Sequence, residues 1–226
     1  MKVRLLPPLH EKLFPTLLEI QLLMSFRSEY FVRVAVSLGT NMNEGGLLIM
    51  QDISIWLIPE KKQADSLQKI INDLATRYGA YSFLPHITCY HLNNSLPLNQ
   101  ITPIIERVAK ECPSITLDLE GLFYSDQFTK TFFARYRISP FLQLLYEKLR
   151  KLFSSHPYNL TPHLSLIYKN NMSEEDKQKE KARIHIPQQL LLDRLMIITE
   201  KGGPISQEKD VLDWRIVQEF YLIPTA

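Results

Sequence analysis

The segment LPHITCY at residues 84–90 is repeated in similar form as TPHLSLIY at residues 161–168. Both segments contain a proline, a histidine, an apolar residue and a hydroxyl residue, in that order. In a β-strand, side chains two positions apart lie on one face, about 6–7 Å from each other. Each segment therefore predicts a strand that presents a histidine and a hydroxyl group together. The two pairs are His86 with Thr88 and His163 with Ser165.

The two histidines lie 77 residues apart, and the same offset aligns the elements predicted around them. It places strand 53–58 on 130–135, helix 60–78 on 137–155, and the strand near 115–121 on 192–198. Residue identity between the two copies is low, so the agreement concerns the order of elements. The repeat predicts two related lobes, each built as strand–helix–strand–helix–strand, whose histidine strands face a common cleft.

Hydrophobic periodicity predicts the individual strands and helices from Ile53 onward. Gly79 suits the left-handed cap of the first helix, Ser139-Pro140 opens a later helix, and Ser173 opens another. Helices are predicted over 60–78, through 101–112, from 139 and from 173. Strands are predicted at 53–58, 83–92, 114–124, 131–139, around His163, at 189–200 and at 212–222, with 114–124 and 131–139 forming a hairpin.

Two histidines with two hydroxyl groups suit the opening of a cyclic phosphodiester by water. A neutral imidazole accepts a proton from the water while an imidazolium donates a proton to the departing oxygen. The hydroxyl groups hydrogen-bond the phosphoryl oxygens. Because the unperturbed histidine pKa is about 6.5, both protonation states are accessible at neutral pH. We therefore expect neither a metal nor another cofactor.

Simpler interpretations exist for these residues. His86 and His163 could be hydrogen-bonded core histidines, but two copies at equivalent places in a repeat favour a function. A metal site formed by His86, Cys89 and His91 is rejected, because Cys89 points away from His86 on a strand and no carboxylate has the required spacing. The run Lys201–Pro204 is interpreted as a turn, with a phosphate-binding loop as the alternative.

The two motifs resemble those of the 2H phosphoesterase superfamily, and more closely those of its cyclic phosphodiesterase branch. The resemblance to that branch rests on SIWLIP at residues 54–59, followed by a helix, and on PHLSLIY at residues 162–168. It covers about residues 52–224. It implies an α+β, bilobal fold with antiparallel sheets facing a central cleft and helices outside. The implied roles are catalysis by His86 and His163, phosphate binding by Thr88 and Ser165, and substrate contact by Tyr168.

Tyr168 and Trp56 are the weaker candidates for substrate binding. Tyr168 stands five positions after His163, which is the opposite face of a regular strand, so its contact with substrate requires a bulge or a strand end. A packed tyrosine is the alternative. Trp56 lies on the first predicted strand and is expected to line the cleft or stack on a base, with a core tryptophan as the alternative.

The resemblance also implies a substrate class. It implies hydrolysis of ADP-ribose 1″,2″-cyclic phosphate to ADP-ribose 1″-phosphate, and of nucleoside 2′,3′-cyclic phosphates to 2′-phosphates. The nearest alternative is an RNA 2′,3′-cyclic phosphodiesterase or 2′–5′ RNA ligase-like enzyme that acts on RNA ends. The formal net charge of +2 favours small nucleotides, because an RNA-end enzyme should carry a basic rim. A catalytically silent nucleotide- or RNA-binding module is a third alternative, which the two intact motifs disfavour.

Composition places the 226 residues among ordinary globular proteins, with 45% hydrophobic and 22% charged residues. Cys89 and Cys112 provide neither a disulfide framework nor a zinc site, which indicates a reducing compartment. No apolar run suits a secretory or membrane-spanning segment, so we expect a cytoplasmic monomer without a membrane partner. Residues 1–50 are predicted to be an N-terminal extension ahead of a domain at 51–226, with a disordered segment, a functional appendage and a mis-assigned start as the alternatives.

Overall fold

The computed structural model describes residues 52–92, 96–154, 157–200 and 205–225. The predicted extension at 1–50 and the predicted turn Lys201–Pro204 lie outside the described residues. The strands are β1 (Asp52–Pro59), β2 (Ile87–Leu92), β3 (Ile115–Tyr124), β4 (Phe132–Tyr136), β5 (His163–Ile167), β6 (Gln189–Glu200) and β7 (Arg215–Tyr221). The α-helices are α1 (Lys61–Tyr78), α2 (Leu98–Glu111), α3 (Pro140–Leu152) and α4 (Glu174–Arg183), and short 3-10 helices cover Phe128–Lys130 and Glu208–Asp213.

The strands form an antiparallel system in the order β2-β1-β6-β3-β4-β5, with β7 also paired to β6. One edge of β6 pairs with β1, and its other edge is shared by β3 at residues 189–192 and β7 at residues 194–199. One lobe therefore contains β2, β1, β6 and β7, and the other contains β3, β4 and β5. The α+β bilobal fold with antiparallel sheets is confirmed.

The 77-residue repeat is visible in the strand register. Trp56 pairs with Thr88 in the first lobe, and Phe133 pairs with Ser165 at the equivalent place in the second. Ile115 pairs with its own equivalent, Leu192, where the two halves meet. However, the third strand of each repeat crosses over, because β3 pairs with β4 and β6 pairs with β1. Each lobe is thus completed by a strand from the other repeat.

Each histidine strand contains a bulge at the same place. In β2, Ile55 pairs with Tyr90 but Trp56 pairs with Thr88, so Cys89 is an extra residue. In β5, the partners of Phe132 and Phe133 are Ile167 and Ser165, which makes Leu166 the extra residue. A bulge places two successive residues on the same side of the strand. The residues before and after these two are three positions apart, and both point to the other face of the strand. Thr88 therefore shares a face with His91, and Ser165 shares a face with Tyr168. The strand thus contains the bulge that a contact between Tyr168 and substrate requires.

Local signals set the helix ends as expected. Gly79 adopts the left-handed conformation at φ 64° and caps α1. The hydroxyl of Ser139 accepts a hydrogen bond from the backbone N–H of Leu142, and that of Ser173 accepts one from Asp176. The apolar residues of α1, α2 and α3 join those of the sheets in a continuous core. Among the described residues, no helix is long and apolar enough to cross a membrane.

Three predicted strands are shorter than expected, and one of them, 131–139, covers only Phe132–Tyr136. The predicted strand 83–92 begins only at Ile87, because Pro85 has no N–H to donate and the Leu84 carbonyl accepts a hydrogen bond from the His86 ring. The predicted strand 212–222 begins at Arg215. Its first residues belong instead to a 3-10 helix, which Asp210 starts by accepting a hydrogen bond from the backbone N–H of Gln207.

Candidate active site

His86 and His163 open onto one cavity. His86 directly precedes β2, and His163 is the first residue of β5. The cavity has a volume of about 610 Å³, within the range of small-molecule sites. The residues that line it are Asp52, Ser54, Trp56, His86, Thr88, His91, Gln127, Phe128, Thr129, Tyr158, His163, Tyr168, Glu200, Ile205 and Trp214.

The two imidazole rings are oriented by the same hydrogen bond. Nδ1 of His86 lies 2.7 Å from the carbonyl oxygen of Leu84, and Nδ1 of His163 lies 2.7 Å from that of Thr161. A carbonyl oxygen can only accept, so Nδ1 carries the hydrogen in both rings. In the neutral ring Nε2 is then an acceptor that can take up a proton.

His86 is enclosed by aromatic side chains. Its ring stacks on Trp56 at a centroid distance of 3.5 Å and an interplanar angle of 6°. Trp214 and Phe83 approach it edge-on, at 5.6 Å and 6.2 Å. His86 is only 5% exposed, and this burial lowers its pKa from 6.5 to about 3, with a smaller contribution from the charge of His163. His86 is therefore neutral at neutral pH.

His163 has a more open environment than His86. Its ring contacts Phe133 edge-on at 5.6 Å, and Phe133 is the repeat equivalent of Trp56. Burial lowers the pKa of His163, and the positive charge of Lys130 acts in the same direction, against the backbone hydrogen bond to Thr161. The two histidines thus differ mainly in the aromatic enclosure around His86.

The hydroxyl residues of the two motifs are placed differently. Thr88 lines the cavity, and its carbonyl accepts a hydrogen bond from the Tyr158 hydroxyl at 3.3 Å. Ser165 is buried and is not among the lining residues, and its hydroxyl donates to the carbonyl of Thr129 at 2.9 Å. Burial raises the pKa of Tyr168, and the Ser165 side chain has a smaller, opposite effect on it. In this conformation Thr88 and Tyr168 reach the cavity directly, whereas Ser165 lies behind Thr129.

Trp56 lines the cavity, but its ring is mostly occupied. It is 3% exposed, stacks on His86, and meets Trp214 edge-on at 5.0 Å. This arrangement supports the His86 ring and leaves little of Trp56 to stack on a base.

Several lining residues are absent from the sequence prediction. Trp214 follows the repeated region, so the 77-residue offset gives no signal for it. His91 had a signal, because it lies 77 residues before Tyr168 and is thus the repeat equivalent of that residue. His91, Asp52, Ser54 and Glu200 form a polar wall of the cavity. Among the described residues, no group of three or more His, Cys, Asp or Glu side chains is arranged to hold a metal ion.

Comparison with known families agrees with this geometry. The model of the 2'-5' RNA ligase superfamily matches residues 58–204, which include both histidine motifs. The chain belongs to the 2'-5' RNA ligase superfamily. The match confirms the resemblance to the 2H phosphoesterases, and so identifies the chain as a member of a superfamily of phosphoesterases. No curated protein matches the chain in sequence.

Several solved structures match this chain at low sequence identity. TT0787 of Thermus thermophilus is 13% identical, with a TM-score of 0.50, over 77% of this chain and 100% of that chain. Escherichia coli LigT complexed with 3'-AMP is 10% identical, with a TM-score of 0.47, over 77% of this chain and 99% of that chain. Kluyveromyces marxianus Usb1 is 13% identical, with a TM-score of 0.36, over 71% and 98%. The likeness to TT0787 supports the fold of this superfamily member.

Proposed function

We propose that this protein hydrolyses the cyclic phosphate esters of small nucleotides, with His86 and His163 as the acid–base pair. The proposal rests on one observation: the same histidine arrangement occurs twice around a single cavity. Each histidine comes from an equivalent strand and donates from Nδ1 to the carbonyl two residues earlier. Each therefore directs Nε2 to the chemistry, as two-sided proton transfer requires.

The difference between the two environments assigns the roles. His86 is buried and neutral, so it accepts the proton of the attacking water through Nε2. The water oxygen forms a bond to phosphorus, the ring P–O bond to the leaving hydroxyl breaks, and His163 donates its proton to that oxygen. The product is a phosphate monoester with a free hydroxyl. His163 suits the acid role because it is more exposed than His86 and loses less hydration when it is charged.

An anionic substrate raises the pKa values of both histidines. Burial lowers the pKa values of His86 and His163. A bound phosphodiester carries a negative charge, which favours the imidazolium form and raises both pKa values toward neutral pH. Proton transfer is most efficient when the pKa is near the working pH. The cavity thus becomes competent when the substrate binds.

Hydroxyl groups stabilise the transition state in this proposal. Thr88 lines the cavity on the same face as the histidines and donates to a phosphoryl oxygen. Tyr168 also lines the cavity and offers a second donor, whose burial keeps it protonated. Ser165 acts through Tyr168, whose pKa it influences, or directly once its bond to Thr129 is exchanged for one to phosphate.

The cavity lining favours small nucleotides over RNA ends. Among the lining residues that the structure describes, none is lysine or arginine, and two are acidic. Extended RNA binding relies on phosphate contacts with cationic side chains. The proposed substrates are nucleoside 2′,3′-cyclic phosphates and ADP-ribose 1″,2″-cyclic phosphate. RNA that ends in a cyclic phosphate is the alternative, which the description of the superfamily favours.

A substrate panel tests the proposal. Purified protein is incubated with 2′,3′-cyclic nucleotides, ADP-ribose 1″,2″-cyclic phosphate and a short RNA that ends in a cyclic phosphate, with and without EDTA. We expect monoester products from the small nucleotides, at rates that the chelator does not change. Faster turnover of the RNA would favour the RNA-end alternative. Binding of nucleotides without turnover of any substrate would favour a silent binding module.

A further inference from the structure

The polar wall of the cavity extends along β1 away from His86. Trp56 stacks on His86, Ser54 lies two residues earlier on the same strand, and Asp52 lies two residues before that. Alternate residues of a strand share a face at a spacing of about 6–7 Å. All of these residues line the cavity that holds the two histidines. The distance from the catalytic histidines to the wall is therefore about the length of a nucleoside.

The bulge at Cys89 turns His91 into this wall. Ser54 pairs with His91, and Trp56 pairs with Thr88, so both partners face the cavity although they are three residues apart. In the other lobe the equivalent position is Tyr168, which also lines the cavity. His91 thus occupies the place of the residue that is proposed to contact substrate from the second lobe.

A chain of hydrogen bonds determines which nitrogen carries the hydrogen in the neutral His91 ring. The hydroxyl of Ser54 donates its hydrogen to a carboxylate oxygen of Glu200. Nδ1 of His91 lies 2.9 Å from the same hydroxyl oxygen. A hydroxyl group has one hydrogen, so the oxygen accepts here and Nδ1 of His91 donates. Nε2 of the neutral ring is then left as a hydrogen-bond acceptor.

The charges of the wall point to the kind of group that binds it. Asp52 and Glu200 are paired residues of β1 and β6, and both line the cavity. Burial and the charge of Asp52 raise the pKa of Glu200, whereas the hydrogen bond from Ser54 and the positive charge that His91 carries when it is protonated lower it. The wall combines carboxylate oxygens with an imidazole acceptor. A phosphate is repelled there, whereas an amino group meets acceptors.

We propose that His91, Ser54 and Glu200 form a nucleobase subsite that recognises an exocyclic amino group. The inference rests on the proposed function, since the cyclic phosphate and its ribose lie at the histidines and the base is the next group of the nucleoside. The amino group of cytosine donates to Nε2 of His91, while uracil presents a carbonyl oxygen at the same position. The subsite therefore selects cytidine over uridine.

The cytidine and uridine 2′,3′-cyclic phosphates test this subsite, because their bases differ in this one group. We measure kcat/KM for both substrates with the wild type, His91→Phe, His91→Gln and Glu200→Gln. A neutral hydrogen bond contributes up to about a tenfold preference, so we expect cytidine to be favoured by up to about tenfold in the wild type. His91→Phe should bring the ratio to about one. His91→Gln keeps an acceptor oxygen and should retain part of the preference, and Glu200→Gln should weaken it.

His185→Phe is the matched control. His185 is exposed, lies outside the cavity lining, and also directs Nδ1 to the carbonyl two residues earlier, at 3.0 Å. The ratio of kcat/KM for cytidine to that for uridine should be the same in His185→Phe as in the wild type. Urea unfolding of each variant shows whether it is folded. A wild-type ratio of one, or an unchanged ratio in His91→Phe, overturns the subsite. If no substrate of the panel is hydrolysed, the proposed function fails instead. The subsite is then tested by calorimetric binding of cytidine and uridine 3′-monophosphates, with the same ratios expected.

Discussion

The burial of His86 predicts a specific loss of stability in acid. The pKa of this residue is lowered to about 3 in the folded protein, against 6.5 as the ordinary value. Below pH 6.5 this histidine binds a proton in the unfolded chain but not in the folded protein. The free energy of unfolding therefore falls as the pH decreases toward 3. One pKa unit corresponds to about 1.4 kcal/mol, so lowering the pH from 7 to 4.5 should cost about 2 to 3 kcal/mol through this residue alone.

The variant His86→Gln isolates this contribution. His163 also has a lowered pKa and acts in the same direction, whereas Glu200 has a raised pKa and acts in the opposite one. Both groups are present in both proteins, so their contributions largely cancel in the comparison. Urea unfolding is followed by tryptophan fluorescence, because both tryptophans of the chain, Trp56 and Trp214, contact His86. The wild type should lose about 2 to 3 kcal/mol more than the variant between pH 7 and 4.5. Equal losses in the two proteins would refute the burial argument.

Three further predictions concern the reaction and the support of its residues. His86→Ala or His163→Ala should lower kcat by about 10² to 10⁴, and the double variant should lose less than the product of the single losses, as steady-state kinetics would show. Thr88→Ala should lower kcat by about 10² because a donor to the transition state is lost, whereas a Thr88→Ser variant that is as slow as Thr88→Ala would argue against that role. Trp56→Ala should destabilise the protein by about 3 to 5 kcal/mol in urea unfolding and raise the pKa of His86, measured by NMR titration; an unchanged pKa would mean that the stacked ring does not cause the shift.

The sequence predicts the elements and the two histidines because their signals are local. A capping serine at 139 or 173 and the glycine at 79 act within a few residues, and the structure shows each in the expected role. The paired motifs could also be recognised from the two-residue period of a strand and the offset of 77 residues alone. Both histidines accordingly line one cavity.

The features that the sequence did not reveal depend on pairing between distant strands. A bulge is a property of two paired strands, so the extra residue Cys89 and the inward side chain of His91 were invisible in the hydrophobic pattern. Ser165 has the expected parity, yet the 3-10 segment that contains Thr129 takes its hydrogen bond. Trp214 comes from a part of the chain that has no copy in the repeat, and its contact with His86 depends on how that part packs.

The crossing of the third strands has a consequence for how the chain acquires its structure during synthesis. The sheet of β3, β4 and β5 is contiguous in the chain and can assemble once residues 115–167 have left the ribosome. The other sheet must wait, because β1 and β2 pair at residues 52–92 but their neighbour β6 is synthesised only at residues 189–200. The lobe that is begun first is thus finished last. Until β6 arrives, the outer edge of β1 is an unpaired template that a second nascent chain can occupy, and exchange of β6 between copies is the expected misfolding route at high expression.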